Sequence, residues 1–283
     1  MIAVVYSGSR LADWRLAEKG KIVAGFKTMG INPHHNDATK IEQLLHKSNT
    51  LINYAEKIKR IYFFGAGASS AENEEIVSKA FNSFFRFGKV FVGHDMKAAA
   101  LATCGDHSGL VGIIGSGSNA AYYNGKKVEQ NNYGLGYILA DEGSANWLGR
   151  KLLQDYITQT MPAELVRKFD EKYPLDIKII LDRVYRQANP VLFLSSFSDF
   201  VFENREHDYM VQMISRGFTM LFEKYFVPLR EKHKEVNVNF TGSVAFDYQD
   251  LLAEVAVAHG FKVGIVIREP IHNLLNYYLN KNK

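Results

Sequence analysis

One local pattern occurs twice in this 283-residue chain, and it restricts the fold more than any other feature. An apolar strand runs into a Gly/Ser turn and returns as a second strand, first in "VVYSGSRLADWRL" and again in "GLVGIIGSGSNAAYY". A polar turn then leads to a third strand-like segment in each copy. The first uses Glu18-Lys19-Gly20-Lys21 before "KIVAGFK", and the second runs through "NGKKVEQ". Helices alternating with single strands follow each meander. An internal duplication of an α/β unit is the economical reading, and a cleft between the halves is the expected ligand site.

The rest of the chain fits that plan. Apolar residues at Ile41, Leu44, Leu45, Leu51, Ile52, Ala55 and Ile58 predict a helix. "RIYFFGAG" reads as a buried strand ending in glycines, residues 72–87 as a helix, and "KVFVGHD" as another strand. "GLGYILADEGSANWLGRKLL" reads as a strand joined to a helix, and helical spacing dominates from 144 to 227. "VNVNFTGSVA", "QDLLAEVAVAHG", "KVGIVI" and "IHNLLNYYLN" give strand, helix, strand and helix. No low-complexity tether separates the halves, so "GDHSG" at 105–109 is a hinge candidate.

Composition excludes several functions. Net charge is +4 and the basic residues are scattered, which argues against a nucleic-acid surface. Cys104 is the single cysteine, so no intrachain disulfide or cysteine-based metal site can be completed. The histidines lack metal-ligand spacing, and His34-His35 are adjacent. No protein metal site is expected. "MIAVVY" lacks the basic flank of a signal peptide, and no segment approaches the ~20 apolar residues that span a bilayer. A cytoplasmic protein without membrane partners is expected.

Five segments carry candidate chemistry. In "IIGSGSNAAYYNG", Gly115, Ser116, Gly117, Ser118 and Asn119 sit between apolar strands, where exposed N–H groups and hydroxyls can hold phosphate. The same pattern also makes a plain turn. Asp95 follows an apolar strand and opens an Ala-rich helix, which suits either an N-cap or a general base at a strand's carboxyl end. Asp141, Glu142 and Ser144 either cap the next helix or, with Asn146 and Trp147, present groups that pair with sugar hydroxyls. Asn32 in "GINPHH" offers an amide, or forms an Asx turn before the helix. "TGSVA" is a strand–Gly–helix turn able to hold an adenosine. A Walker A lysine motif, a nucleophile elbow and a dinucleotide fingerprint are all missing.

Taken in order, these motifs resemble the actin, sugar-kinase and heat-shock ATPase superfamily over nearly the whole length. More closely, the chain is similar to the N-acetylglucosamine kinase family grouped with BadF/BadG-type ATPases. "GLGYILADEGSANWLGR" looks like that family's Gly-x-Gly-x-x-x-x-Asp-Glu-Gly-Ser segment, and "GSGSNAAYYNGKKV" like its second phosphate loop. The resemblance implies an α/β chain of two ribonuclease-H-like, actin-like ATPase domains, 1–107 and 108–267, with a ligand cleft between them. A last helix, 268–283, would cross back onto the first domain. ATP with Mg2+ and an amino sugar would be the ligands, N-acetylglucosamine foremost, and a homodimer is one open assembly.

By the same resemblance Asp95 is the catalytic base for the sugar 6-hydroxyl, and Asn32, Asp95, Asp141 and Glu142 bind substrate. Ser7, Gly8, Ser9, Arg10, Gly115, Ser116, Gly117, Ser118, Asn119, Gly242 and Ser243 bind nucleotide. One stretch departs from the family pattern, which runs close to Asp-Ser/Gly-Gly-Ser/Gly-Thr-Lys-Thr-Asp-Trp. Here Tyr6 stands for the leading Asp, and Arg10-Leu11-Ala12 for Thr-Lys-Thr, while Asp13-Trp14 matches. A carboxylate that helps hold hydrated Mg2+ is thereby lost, with Arg10 a partial replacement of charge. Two functions follow: an amino-sugar kinase, and a catalytically impaired sugar- or nucleotide-binding module. A radical-dehydratase activator is disfavoured, because its shared iron–sulfur cluster needs paired cysteines.

Overall fold

The computed structural model describes residues 1–8 and 11–281. Ser9 and Arg10, expected to bind nucleotide, lie outside the described residues. In chain order the elements are β1 (Ile2–Ser7), β2 (Leu11–Glu18), β3 (Lys21–Met29), α1 (Ala38–His46), α2 (Asn49–Tyr54), β4 (Arg60–Gly65), α3 (Ala71–Phe84), β5 (Lys89–His94) and α4 (Asp95–Cys104). Next come β6 (Ser108–Ile114), β7 (Ser118–Asn124), α5 (Gly136–Leu139), α6 (Ala145–Ile157), α7 (Ala163–Lys172), α8 (Ile177–Tyr185), α9 (Pro190–Ser195), α10 (Ser198–Glu203) and α11 (Asp208–Leu221). A π-turn (Phe222–Phe226), α12 (Val227–His233), β8 (Asn237–Thr241), α13 (Ser243–Asp247), α14 (Gln249–Ala258), β9 (Lys262–Ile267) and α15 (Ile271–Lys281) complete the chain. No helix of the described residues is long and apolar enough to cross a membrane.

Two compact units result. The first is Met1–Asp106 with Glu269–Lys283, and the second is His107–Arg268. In unit 1 the strand order is β3-β2-β1-β4-β5, with β1, β2 and β3 antiparallel and β4 and β5 parallel to β1. Alternation sends Ala3 and Val5 of β1, and Ala12, Trp14 and Leu16 of β2, into one core with α1, α2 and α3. Trp14 is fully buried between Phe26 and Phe81, with ring centroids 5.8 and 5.9 Å away. Its indole N–H donates to the Thr28 hydroxyl at 2.9 Å. Helices α4 and α15 pack on the opposite face.

Unit 2 has strand order β7-β6-β8-β9. Its core gathers Phe218, Phe222, Phe226, Phe240 and Phe261. Gly112 of β6 makes room for them, since a Cβ there would lie 2.5 Å from the Phe240 ring.

Three expectations differ from the structure. The spacing from Ile41 to Ile58 is split into α1 and α2, because the Ser48 hydroxyl caps a fresh start by accepting the Leu51 N–H. The third strand of the second meander shrinks to one bridge, Tyr123 to Val128. Beyond it the Asn131 side chain, not a backbone group, takes the Ala120 carbonyl at 2.7 Å. "GLGYIL" forms the short helix α5 instead of a strand, opened by Gly136 at φ +76°.

Truncation of Trp14 tests the unit 1 core. Trp14→Ala should destabilise the protein by about 3–5 kcal/mol. Urea denaturation followed by circular dichroism measures this, and a loss near zero would contradict the packing described.

Candidate functional site

In unit 1 the chemistry collects where three parallel strands end. Ser7, Gly65 and His94 are aligned across β1, β4 and β5, so Gly8, Ala66 and Asp95 leave the sheet side by side. Asp95 is the first residue of α4, not its cap. His94 holds the cap position, and the Asp95 Oδ1 accepts the Met96 N–H at 2.8 Å. Burial pushes the Asp95 carboxyl above its usual range, against the opposing pull of His94 and of the Met96 N–H. Burial pushes the His94 imidazole down. A carboxylate held this way is a better proton acceptor than a solvated one.

The Asn32 loop is fastened to the same strand end. Ser7 is buried, and its hydroxyl accepts the Ile31 N–H at 2.8 Å while donating to the Ile31 carbonyl at 3.0 Å. Ser7 was expected on the nucleotide, but its hydroxyl is committed to holding this loop. The Asn32 Oδ1 accepts the His34 N–H at 2.9 Å, which is an Asx turn. Its amide nitrogen has no hydrogen-bond partner among the described residues and remains available as a donor. Gly67, just past β4, abuts this group. It sits at φ +83°, and a Cβ would fall 2.4 Å from the Asn32 Oδ1. In the sequence, the only signal for Gly67 is the glycine pair of "FFGAG".

Tyr6 lies opposite Asp13, which lies opposite Lys27 on β3. Burial, with the charges of Asp95 and Glu269 nearby, pushes the Tyr6 phenol up, so it stays protonated. The Asp13 carboxylate is buried and ion-paired with Arg15. Glu269, which the sequence did not mark, sits with its Oε1 3.7 Å from the Lys27 ammonium. Gly8 closes the first hairpin by donating its N–H to the Leu11 carbonyl at 3.0 Å.

In unit 2 the second Gly/Ser loop is held from behind. The Gly115 carbonyl accepts the Ala145 N–H at 2.9 Å. The Ser116 carbonyl accepts the Asn146 N–H at 3.2 Å and its side-chain amide at 2.6 Å, and the Ser195 hydroxyl reaches it at 3.4 Å. Asp141 stands in the left-handed region at φ +67°. Its Oδ1 accepts the Ser118 N–H at 2.9 Å and its Oδ2 the Asn146 amide at 2.7 Å. Gly117 must be small, because a Cβ would lie 2.9 Å from that carboxylate. Burial pushes the Asp141 carboxyl up, while the Ser118 and Asn146 bonds pull it down.

The outcome is a loop whose carbonyls are tied and whose front is free. The N–H groups of Ser116 and Gly117 have no partner among the described residues, and the Ser116 hydroxyl is exposed. Two successive free N–H groups in a Gly/Ser turn form a nest for an anion. Ser118 does not share that front. Its hydroxyl donates to the Glu142 carbonyl at 2.9 Å. Asn119 accepts its neighbour's N–H, from Ala120, at 2.8 Å.

Asp141 and Glu142 were expected to hold sugar hydroxyls. Their side chains are instead spent inside unit 2, Asp141 on the loop and Glu142 on Lys224 and Tyr225. Ser144, not either acid, caps α6 by accepting the Trp147 N–H.

The Thr241-Gly242-Ser243 turn meets the same loop. Gly242 has φ +116°, and a Cβ would strike the Ile114 carbonyl oxygen at 2.3 Å, so only glycine fits between β8 and the loop. Ser243 is exposed beside it. Two polar atoms here are buried without a protein partner, the Thr241 hydroxyl and the Asn146 Oδ1. Such groups are normally satisfied by water or ligand. Ser195, Lys224 and Tyr225 also belong to this neighbourhood. Nothing in the sequence marks Ser195, which comes from the helical stretch between the two motifs.

Comparison with known proteins places this geometry. No family model matches the chain, and no curated protein does. Among solved structures, a candidate N-acetylglucosamine kinase from Porphyromonas gingivalis matches with TM-score 0.94 and 33% identity, covering 100% of both chains. This chain belongs to the sugar-kinase family. A candidate N-acetylglucosamine kinase from Chromobacterium violaceum shares the sugar-kinase fold at TM-score 0.69 and 14% identity, over 98% of this chain and 99% of that one. A glucokinase of the ROK family from Streptomyces griseus, solved with glucose and AMPPNP, matches at TM-score 0.57 and 12% identity, over 98% and 97%.

The raised carboxyl of Asp95 carries a stability signature. Between the unfolded and the raised folded value, the native state binds more protons than the unfolded state, so stability falls as pH rises. Asp95→Asn removes that loss. The variant should melt above the wild type near neutral pH, and the gap should close on acidification toward the ordinary carboxylate range. Thermal melts from about pH 4 to about pH 8 read this directly, and an equal gap at every pH would contradict it.

Proposed function

We propose that this protein transfers the γ-phosphoryl group of ATP to the 6-hydroxyl of N-acetylglucosamine, in the cytoplasm. The observation that carries the reading is the anion nest at Ser116 and Gly117, backed by Asp141 and Asn146 and adjoining the Gly242 turn. Full-length identity of 33% to a candidate N-acetylglucosamine kinase supports the choice of sugar. In this reading unit 2 is the nucleotide-holding domain and unit 1 the sugar-holding domain, each of ribonuclease-H-like type. The nest takes phosphate oxygens, and the Thr241-Gly242-Ser243 turn takes the adenosine. Asn32 donates its free amide to a sugar hydroxyl.

The transfer step balances within these groups. The sugar O6 forms a bond to the γ-phosphorus, and the bond from that phosphorus to the β–γ bridging oxygen breaks, leaving ADP. The O6 proton passes to the Asp95 carboxylate. Among the described residues no cluster of three or more His, Cys, Asp or Glu is placed to hold a metal. A Mg2+ arriving with the nucleotide would lie at the phosphates that the Ser116–Gly117 nest holds. When bound, the ion neutralises phosphate charge.

A specific observation favours a second reading, a sugar- or nucleotide-binding module with impaired catalysis. Tyr6 is a neutral phenol, where the family resemblance expects a carboxylate, and it sits in the same electrostatic neighbourhood as Asp95. The two readings separate in one assay. ADP release with ATP, Mg2+ and a panel of hexosamines should show turnover that requires N-acetylglucosamine, and Asp95→Asn should abolish it. Tyr6→Asp should raise kcat if the missing carboxylate limits the wild type. Calorimetric sugar binding without any turnover in the wild type would overturn the kinase reading in favour of the second.

A further inference from the structure

A carboxylate that is 5% exposed, with both oxygens hydrogen-bonded by groups from one irregular helical turn, requires an explanation beyond core packing. Glu142 accepts from the Lys224 ammonium at Oε1 and from the Tyr225 hydroxyl at Oε2. Burial works against the charge of Glu142, yet the bonds from Lys224 and Tyr225 outweigh it and hold the carboxyl below its usual range. A buried ion pair is seldom the most stable filling for such a space, since apolar residues of similar volume often serve as well or better. Its distinctive effect is geometric. The backbone carbonyl of Glu142 accepts the Ser118 hydroxyl at 2.9 Å, and the adjoining Asp141 accepts the Ser118 N–H at 2.9 Å. The last residue of the phosphate loop is therefore fastened to the segment that Lys224 and Tyr225 fasten.

The turn bearing both donors is a π-turn, and the sequence supplies its cause. Pro228 lies four residues after Lys224. In a regular α-helix its ring would clash with the Lys224 carbonyl, and it has no N–H to give. The helix widens instead, and the Val227 N–H bonds back to the Phe222 carbonyl, five residues earlier. Phe222 and Phe226 stay fully buried in the core, and Tyr225 stacks on Tyr133 with centroids 5.0 Å apart. The widened turn thus anchors its apolar side while its polar side carries Lys224 and Tyr225 to the two oxygens of Glu142.

We infer that the π-turn Phe222–Phe226 is a brace for the phosphate loop, with Lys224 and Tyr225 as positioning residues acting through Glu142 on Ser118. For its effect on ATP the inference rests on the kinase reading above, but the brace itself does not. The test uses the full chain with Tyr225→Phe, Glu142→Gln, Lys224→Met and Lys224→Arg, each checked for folding by circular dichroism. Amide hydrogen exchange over residues 113–120 should quicken in Tyr225→Phe and Glu142→Gln and stay near wild type in Lys224→Arg. Affinity for AMPPNP by calorimetry should fall roughly tenfold to a hundredfold in Tyr225→Phe, with N-acetylglucosamine affinity unchanged. The Tyr225→Phe/Glu142→Gln double variant should lose no more than the worse single variant, because the two act through one bond. Unchanged exchange across 113–120 in folded Tyr225→Phe and Glu142→Gln overturns the brace, and equal losses for nucleotide and sugar overturn its specificity. A wild type that binds no AMPPNP would defeat the kinase reading, while the exchange experiment still decides the brace.

Discussion

The Asp141 carboxylate is the contact on which the second Gly/Ser loop depends. A single buried side chain takes the Ser118 N–H on one oxygen and the Asn146 amide on the other, from a left-handed backbone that few residues tolerate. Asn146 in turn holds the Ser116 carbonyl twice. With the carbonyls drawn inward, the N–H groups of Ser116 and Gly117 are left facing out. A negative group thus organises a turn with two unpartnered N–H groups, the arrangement proposed above to take phosphate. Its own charge is met by two donors, and through them it orients the loop dipoles.

Unit 1 applies the same economy with a hydroxyl. Ser7 both gives and accepts a bond at the Ile31 peptide, which docks the Asn32 turn onto the end of β1. Gly67 then fills the remaining gap, with no room for a Cβ. Asp95 emerges two strands away on the same sheet edge. The sugar-facing candidates are therefore set by backbone register and one serine, and the Asn32 amide nitrogen is left free of structural duty.

Much of this was legible in the chain. Gly/Ser turns between apolar strands located both hairpins. Residues were harder to assign than segments. Ser7, Ser118, Asp141 and Glu142 have the chemistry of ligands, and their type cannot reveal that neighbours already occupy them. Those neighbours are remote: Ile31 lies 24 residues from Ser7, and Lys224 lies 82 from Glu142. Local spacing likewise gave one helix for 41–58, where a single capping serine makes two. Pro228 was a visible signal for the π-turn, but its partner across the fold was not.

The shortened third strand of the second meander has a consequence for solubility. With only the Tyr123–Val128 bridge beyond it, β7 ends the sheet as an edge whose peptide groups invite another chain to pair. Asn131 offers its side-chain amide to the Ala120 carbonyl, and the Glu129 N–H reaches the Tyr122 carbonyl at 2.9 Å. Those two carbonyls are consumed without presenting a further strand. The segment that sequence periodicity extends as a strand works as a blocker, ending the sheet where continued pairing would lead to aggregation.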